Sequence, residues 1–349
     1  MSDKRHKRRF GTVMWLLAAL LLLLAAACLL IGSVDIPPRE IISILAGKGS
    51  GNTAWQIIVT QSRVPMICTA ALAGAALSVA GLLMQTVFNN PLAGPSILGV
   101  STGASLGVAI VMLALGGSIG TITGASTGGH ISSLVGALAG AGAVLAALLL
   151  LSAAVRSATM LLIVGIMVGY LASSAISLLN FFATEQGVHS YVIWGLGNFS
   201  GVTRGQLPAF AIIIIAAIAW AAMMVKPLNA LLLGENYARN LGVNLRRTRN
   251  QLLAITGALT AVVTAYCGPI GFIGLVAPHI ARLALRTSSH NQLMPATILA
   301  GADIALLCTL VSVLRPSAGV IPINAITPVV GVPIIIYIIL NRRKIEYFN

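Results

Sequence analysis

Acidic side chains are too few and too scattered in this sequence to form a conventional catalytic centre. Only 7 of the 349 residues are Asp or Glu, and two of them, Asp3 and Glu346, lie in the terminal segments. Paired carboxylates for acid–base chemistry are therefore not expected. Residues 47–50 contain a Gly-Lys pair but lack the spacing of a nucleotide-binding P-loop, and no HExxH zinc motif occurs. The sequence predicts a chain that is not an enzyme and does not hydrolyse ATP by itself.

Two titratable residues stand out because they lie inside apolar stretches. Asp303 is the one acid well inside a predicted membrane span, where an ionisable side chain is a candidate for function. The favoured alternative is a structural acid, hydrogen-bonded within the helix bundle, because no cation lies at helical spacing from it. His279 follows Pro278 and is interpreted as a structural donor rather than a ligand. The sequence leaves both roles open, and it predicts no metal site and no cofactor.

The most informative polar segment follows the sixth predicted span, at residues 226–243. It mixes apolar and polar residues and is interpreted as two short helices that meet near Gly234. A glycine commonly ends one helix, and an acid such as Glu235 commonly begins the next. A short amphipathic pair of this kind can insert into a groove of a soluble motor protein. The alternative is an interfacial helix lying on the membrane, and the charge of Glu235 and the short length count against it.

The composition requires that these residues be held by helices in a membrane. Hydrophobic residues make up 58% of the chain and charged residues 8%, whereas soluble domains carry roughly 25% charged residues. The apolar surplus must therefore face lipid, in helices of ~20 apolar residues each. Ten spans are predicted, the first of them not cleaved as a signal peptide: 12–32, 66–86, 97–115, 131–153, 159–182, 207–225, 250–267, 273–286, 293–314 and 325–341.

The basic residues are distributed as the positive-inside rule requires. The net charge is +14, and the Lys and Arg residues are concentrated at positions 4–9, 239–249 and 342–344. Apolar spans separate these clusters, which is typical of cytoplasmic loops. An even number of spans then places both termini in the cytoplasm. Nucleic-acid binding is not expected, because no soluble domain is available to present a basic face.

Glycines recur at helical spacing within the predicted spans. Gly99, Gly103 and Gly107 form one stripe, and Gly136 and Gly140 form another. Small residues four apart let helix backbones approach closely where lipid supplies no hydrophobic drive between helices. The stripes predict a tightly packed bundle, but they do not distinguish a transporter from a membrane enzyme.

Several motifs, in a fixed order, resemble those of the FecCD-type permease family, which supplies the membrane subunits of importers for ferric siderophores, haem and vitamin B12. The motifs are residues 63–65, 85–95, 98–104, 233–242 and 271–279. The resemblance covers nearly the whole chain. It implies an all-α fold, a polytopic transmembrane bundle of about ten spans like the permease of a type II ABC importer. It also implies a single permease domain over residues 1–349, with a cytoplasmic coupling segment at 228–246.

The same resemblance implies roles for particular residues. Contact with the ATPase is expected of Leu233, Gly234, Glu235, Ala238, Leu241 and Gly242. Cytoplasmic gating is expected of Asn90 and Leu92, and of Ala158 and Thr159 in the companion turn. Docking of the binding protein is expected of Arg63 and Arg315.

The docking set departs from the family's pattern in two places. Met66 stands where a second arginine is common, and Thr309 and Val313 stand where the family often has Asp-x-x-x-Arg. Arg315 follows two residues later, so its place is shifted. The resemblance therefore implies a reduced set of ion pairs on the outer face.

The implied partners are a cytoplasmic ABC ATPase dimer that binds the ATP, an extracytoplasmic substrate-binding protein and a second permease copy, in a homodimer or a paired heterodimer. The implied location is the bacterial cytoplasmic membrane. The expected cargo is an iron chelate, either a ferric siderophore or haem, with cobalamin as the alternative. A secondary transporter coupled to ions is disfavoured, because only Asp303 could serve as a mid-membrane titratable group.

Overall fold

A computed structural model describes residues 2–49, 51–114, 128–155, 157–314 and 320–340. Within these ranges the chain forms helices joined by turns, and no strand occurs among them. The α-helices are α1 (Ser2–Leu30), α2 (Pro38–Leu45), α3 (Thr53–Ile57), α4 (Val64–Val87), α5 (Val100–Ala109), α6 (Gly128–Ala154), α7 (Ala158–Phe182), α8 (Glu185–Gly195), α9 (Leu207–Met223), α10 (Val225–Leu231), α11 (Glu235–Asn240), α12 (Leu245–Cys267), α13 (Ile273–Leu285), α14 (His290–Val313) and α15 (Ile323–Leu340). A π-helical segment, Ile58–Arg63, joins α3 to α4, and another, Ile110–Ala114, extends α5.

The apolar helices coincide with the ten predicted spans. Among the described residues, six helices are long and apolar enough to cross a membrane. Helix α9 falls on the sixth predicted span, and it is bent from α10 by 52° at their junction. Three shorter apolar helices fall on the remaining predicted spans, at Val100–Ala114, Ile273–Leu285 and Ile323–Ile338. The predicted all-α, polytopic membrane fold is confirmed.

The chain divides into two compact units. The first contains the described residues within 1–79, 198–216 and 272–347, and the second those within 80–197 and 217–271. In the first unit, α1 and α13 both pack along α14. In the second, α6 is packed between α5 and α12. The assignment of residues 1–349 to one permease domain stays a prediction.

Glycines allow the helices within each unit to touch backbone to backbone. A Cβ atom added to Gly107 would lie 1.9 Å from the carbonyl oxygen of Gly136, and one added to Gly140 would lie 2.1 Å from that of Gly103. The close packing predicted from these stripes is therefore confirmed between α5 and α6. In the first unit, a Cβ on Gly74 of α4 would lie 2.2 Å from the carbonyl oxygen of Gly301 in α14. The predicted glycine stripes did not include Gly74 and Gly301.

The pentapeptide Gly103–Gly107 matches the GxSxG spacing of serine hydrolases, but its structure excludes that role. In those enzymes the serine sits on a sharp turn between a strand and a helix. Here Ser105 lies inside α5 and donates a hydrogen bond to the carbonyl of Ser101 at 3.1 Å. The two glycines are occupied in packing against α6.

Candidate coupling and gating surface

The segment around Gly234 forms two short helices, as the sequence predicts. Helix α10 ends at Leu231 and α11 begins at Glu235. Gly234 between them has φ 95° and ψ 154°, a region of backbone conformation open essentially only to glycine. Apart from its two chain neighbours, no described residue has an atom within 4 Å of the position that a Cβ would take. Glycine is therefore required here for its backbone conformation and not for lack of space.

The far end of α11 is closed by a second glycine. The amide of Val243 donates to the carbonyl of Ala238 at 3.0 Å, and the amide of Gly242 donates to that of Arg239 at 2.9 Å. With Gly242 at φ 82°, these two bonds form a Schellman motif. The side chain of Asn244 then caps α12 by accepting from the amide of Arg247 at 3.0 Å. These hydrogen bonds hold α11 rigidly between two turns.

The outer face of this helix pair is apolar and exposed. Leu233 is 61% exposed, Leu241 is 58% exposed, and Ala238 is fully buried beneath them. Tyr237, four residues from each leucine, is also exposed, and the sequence analysis did not identify it. Its spacing of four from two predicted contact residues is the signal that could have found it. Isolated exposed apolar residues are ordinary, but a cluster on a rigid projection is typical of a contact surface.

A groove beside this segment brings three parts of the second unit together. It has a volume of about 680 Å³ and is lined by Thr86–Asn89 at the end of α4, by Ser157 and Thr159 at the start of α7, and by Leu231–Glu235. The predicted coupling residues Leu233, Gly234 and Glu235 therefore share one groove with the predicted gate residue Thr159. Among the described residues that line the groove, Glu235 is the one with a charged side chain.

The other predicted gate residues lie at the ends of the same helices. Asn90 follows the groove-lining turn directly, and its side-chain oxygen accepts a hydrogen bond from the amide of Leu92 at 2.9 Å. Leu92 is exposed, and Ala158 is the first residue of α7. The gating roles stay predictions, supported by this common location.

Arg63, the predicted docking residue, is buried within the first unit. Its guanidinium donates to the backbone carbonyls of Leu29, Leu30 and Val34. Cations stabilise helix C-termini because the last carbonyls there lack intrahelical partners. Arg63 therefore caps α1, and its docking role stays a prediction. Arg315 lies outside the described residues.

Two further arginines cap helices in the same way. Arg249 donates to the carbonyls of Ser152 and Val155, at 3.1 and 2.8 Å, at the end of α6. Arg9 donates to the carbonyl of Ala284, at 2.9 Å, in the last turn of α13. These arginines stabilise helix ends, in addition to their place in the positive-inside distribution of charge.

Asp303 is 5% exposed in α14, and neither of its carboxyl oxygens has a hydrogen-bond partner among the described residues. The hydrogen-bonded acid favoured by the sequence is therefore not found in this part of the chain. His279 is buried in α13, and its structural role stays a prediction.

We expect Asp303→Leu to raise the melting temperature of the detergent-solubilised protein and Asp303→Asn to leave uptake unchanged. An unsatisfied buried polar group costs about 1–3 kcal/mol, which a fitted apolar side chain removes. The exposed Asp35 provides the matched control, Asp35→Asn, for which no change is expected. A fall in melting temperature or uptake for both Asp303 variants would show that the carboxylate makes a required contact.

Comparison with known proteins places these features in one family. The model of the FecCD transport family matches residues 19–341. The vitamin B12 import system permease protein BtuC of Klebsiella pneumoniae subsp. pneumoniae is 36% identical over 346 residues, 98% of this chain and 96% of that protein. The protein of the same name from Escherichia coli O9:H4 is 35% identical over 292 residues, 83% of this chain and 85% of that protein.

A solved structure has the same fold. It is described as an inward-facing conformation of a metal-chelate type ABC transporter, and it matches with a TM-score of 0.79 and 28% identity, over 95% of this chain and 99% of that one. Permeases of this family are non-catalytic and work with an ATPase and a binding protein, so the predicted absence of an enzymatic role is confirmed. The match over most of its length shows that this chain belongs to the FecCD transport family and is a multi-pass inner-membrane permease subunit of an ABC importer.

Proposed function

We propose that the cargo of this permease is cobalamin or a closely related corrinoid. The observation that carries the proposal is the 36% identity, over 98% of this chain, to a vitamin B12 permease. The sequence alone ranks an iron chelate first and cobalamin as the alternative, and the relatives favour the alternative. A corrinoid is itself a metal chelate, which agrees with the description of the structural neighbour.

In the proposed cycle this chain converts a movement of the ATPase into opening of a gate. The exposed Leu233, Tyr237 and Leu241 would seat in the ATPase, and Glu235 would meet a basic group of that subunit. The supporting observation is the shared groove, because displacement of Leu231–Glu235 would bear directly on Thr86–Asn89 and on the start of α7. Cytoplasmic termini, which place this segment on the ATPase side, are part of the same proposal and rest on the positive-inside distribution.

A second copy of this chain would complete the pathway. Large apolar side chains remain exposed along α7, including Met160, Met167, Leu171 and Phe181. Such a face must be covered by lipid or by another helix. A homodimer would cover part of it, as the family resemblance implies.

The cargo is tested in proteoliposomes that contain this permease with its own ATPase and binding protein. We expect ATP-dependent accumulation of labelled cyanocobalamin, inhibited by unlabelled cobinamide and unaffected by excess ferric siderophore or haem. Vesicles without ATP, and vesicles that lack the binding protein, are the controls. Uptake of a labelled ferric chelate or haem without uptake of cyanocobalamin would overturn the cargo while leaving the family membership intact.

A further inference from the structure

A cavity of about 290 Å³ lies within the first unit, at the ends of α1 and α14. Its walls include Ile31–Val34, which follow α1, and Thr309, Ser312 and Val313 in the last turn of α14. Since one molecule of liquid water occupies about 30 Å³, the cavity has room for a polar group of several heavy atoms. Its lining residues all belong to the first unit, and none of them lines the groove beside Gly234.

The charge of this cavity is positive and is not neutralised by a direct ion pair. Arg63 is 4% exposed and is the one charged residue among the described residues that line the cavity. Among the described residues, no carboxylate forms an ion pair with it, and Asp35 acts on it only over a longer distance. The Nη1 and Nη2 atoms donate to backbone carbonyls, and Nε takes part in none of those bonds. A buried cation without a paired anion costs free energy that a bound anion would recover.

The cavity also offers neutral donors. The side-chain oxygen of Asn198 accepts from the amide of Ser200 at 2.7 Å, so the amide nitrogen of Asn198 remains to donate. Ser33, Ser62 and Ser200 line the cavity, and their hydroxyls make no hydrogen bond within the described residues. A guanidinium surrounded by amide and hydroxyl donors is suited to a phosphate or carboxylate.

The cavity lies at the level of the lipid headgroups, and this position favours a phospholipid phosphate over other anions. The apolar part of α1, Arg8–Leu30, has 23 residues, which rise about 35 Å at 1.5 Å per residue. The hydrocarbon core of a bilayer is about 30 Å thick, so Leu30 reaches the headgroup layer at the end opposite the basic residues. Three lining residues at this level are apolar and exposed: Ile31, Val34 and Val320.

We propose that this cavity binds the phosphate of a membrane phospholipid. The Arg63 guanidinium supplies the counter-charge, and Ile31, Val34 and Val320 contact the first carbons of the acyl chains. Basic pockets between transmembrane helices on the cytoplasmic side bind lipid headgroups by this chemistry, and here the same chemistry would act at the opposite membrane surface. A bound lipid would fix the end of α1 against α14, because both helices line the cavity.

The test is native mass spectrometry of the intact, detergent-purified chain, delipidated and then titrated with phosphatidylglycerol. We expect one lipid per chain bound well above the background of non-specific adducts. Arg63→Gln should weaken this binding by about tenfold or more. The matched control is Arg39→Gln, since Arg39 is exposed on α2 and does not line the cavity. Equal lipid binding by these two variants would overturn the proposal.

A second variant is needed because Arg63 also caps α1, so Arg63→Gln could lose lipid by unfolding that helix end. Ser200→Glu keeps that cap and places a carboxylate in the cavity, so it should compete with the lipid phosphate and reduce binding to a similar extent. Retained lipid in a folded Ser200→Glu protein would count against the site. Inorganic phosphate is titrated in parallel, and if phosphate raises the melting temperature while phosphatidylglycerol does not, the cavity binds free anion and the lipid proposal is wrong. Neither readout depends on the cargo.

Discussion

Replacing Gly234 with valine is expected to abolish transport-coupled ATP hydrolysis while leaving the permease folded in the membrane. The φ of 95° and ψ of 154° at this residue cost a residue other than glycine about 1–3 kcal/mol, and more for a β-branched side chain. The backbone would relax into an allowed conformation, and the directions of α10 and α11 would change. Leu233 and Glu235, on either side of Gly234, would then no longer match the ATPase surface.

Glu235→Lys is expected to have a comparable effect by a different route. Glu235 is exposed and is the one charged residue that the structure describes in the groove lining, while Arg239, Arg246 and Arg247, close to it in sequence, are also exposed. Replacing this acid with lysine adds a fourth positive charge to the three exposed arginines, which would repel a basic contact on the ATPase. We expect the loss to be greatest at low salt, because exposed charges are screened as the ionic strength rises.

The measurements are co-purification of the ATPase with each variant and substrate-stimulated hydrolysis in liposomes. Gly205→Val is the matched glycine control, since Gly205 is exposed and has no left-handed φ, and no described residue beyond its chain neighbours lies within 4 Å of its Cβ position. Glu185→Lys, at the exposed start of α8, is the charge control. If Gly234→Val and Glu235→Lys both retain wild-type coupling, the segment is not the coupling element.

Gly140→Ala is expected to destabilise the protein strongly, and Gly142→Ala, two residues away in the same helix, is expected not to. The added Cβ at Gly140 would lie 2.1 Å from the carbonyl oxygen of Gly103, which is a backbone atom and cannot rotate away. Helices α5 and α6 must then separate, and overpacking of this kind costs about 1–3 kcal/mol or more. The Cβ at Gly142 would meet no described residue outside its own helix backbone within 4 Å, so alanine there should be neutral or slightly stabilising.

The two alanine variants are compared by their yield in the membrane and by their melting temperature in detergent. The composition change is identical, so a difference between them reports only on the contact with α5. Equal melting temperatures would mean that α5 and α6 do not touch at Gly103 and Gly140. A loss in both would point to a general requirement for glycine in α6.

The sequence by itself determined the number and places of the apolar helices. Each of the ten predicted spans coincides with a helix, because a run of about 20 apolar residues in lipid must satisfy its own backbone hydrogen bonds. The bounds agree closely except at the start of α1, which begins at Ser2 and not at residue 12. The junction at Gly234 was equally predictable, since the conformation of a single glycine is a local property. The family resemblance could also be recognised from the sequence, because each of its motifs is a continuous run of residues.

The tertiary structure alone decided what the polar residues do. Arg63 and Arg249 belong by sequence to a docking surface and a cytoplasmic cluster, but each donates to the end of a helix far away along the chain. Asp303 was expected to have a hydrogen-bond partner and has none among the described residues. The partners of a side chain depend on which helices pack together, and many packings are compatible with one apolar pattern. The groove shared by the ends of α4 and α10 and the start of α7 exists only after that packing is fixed.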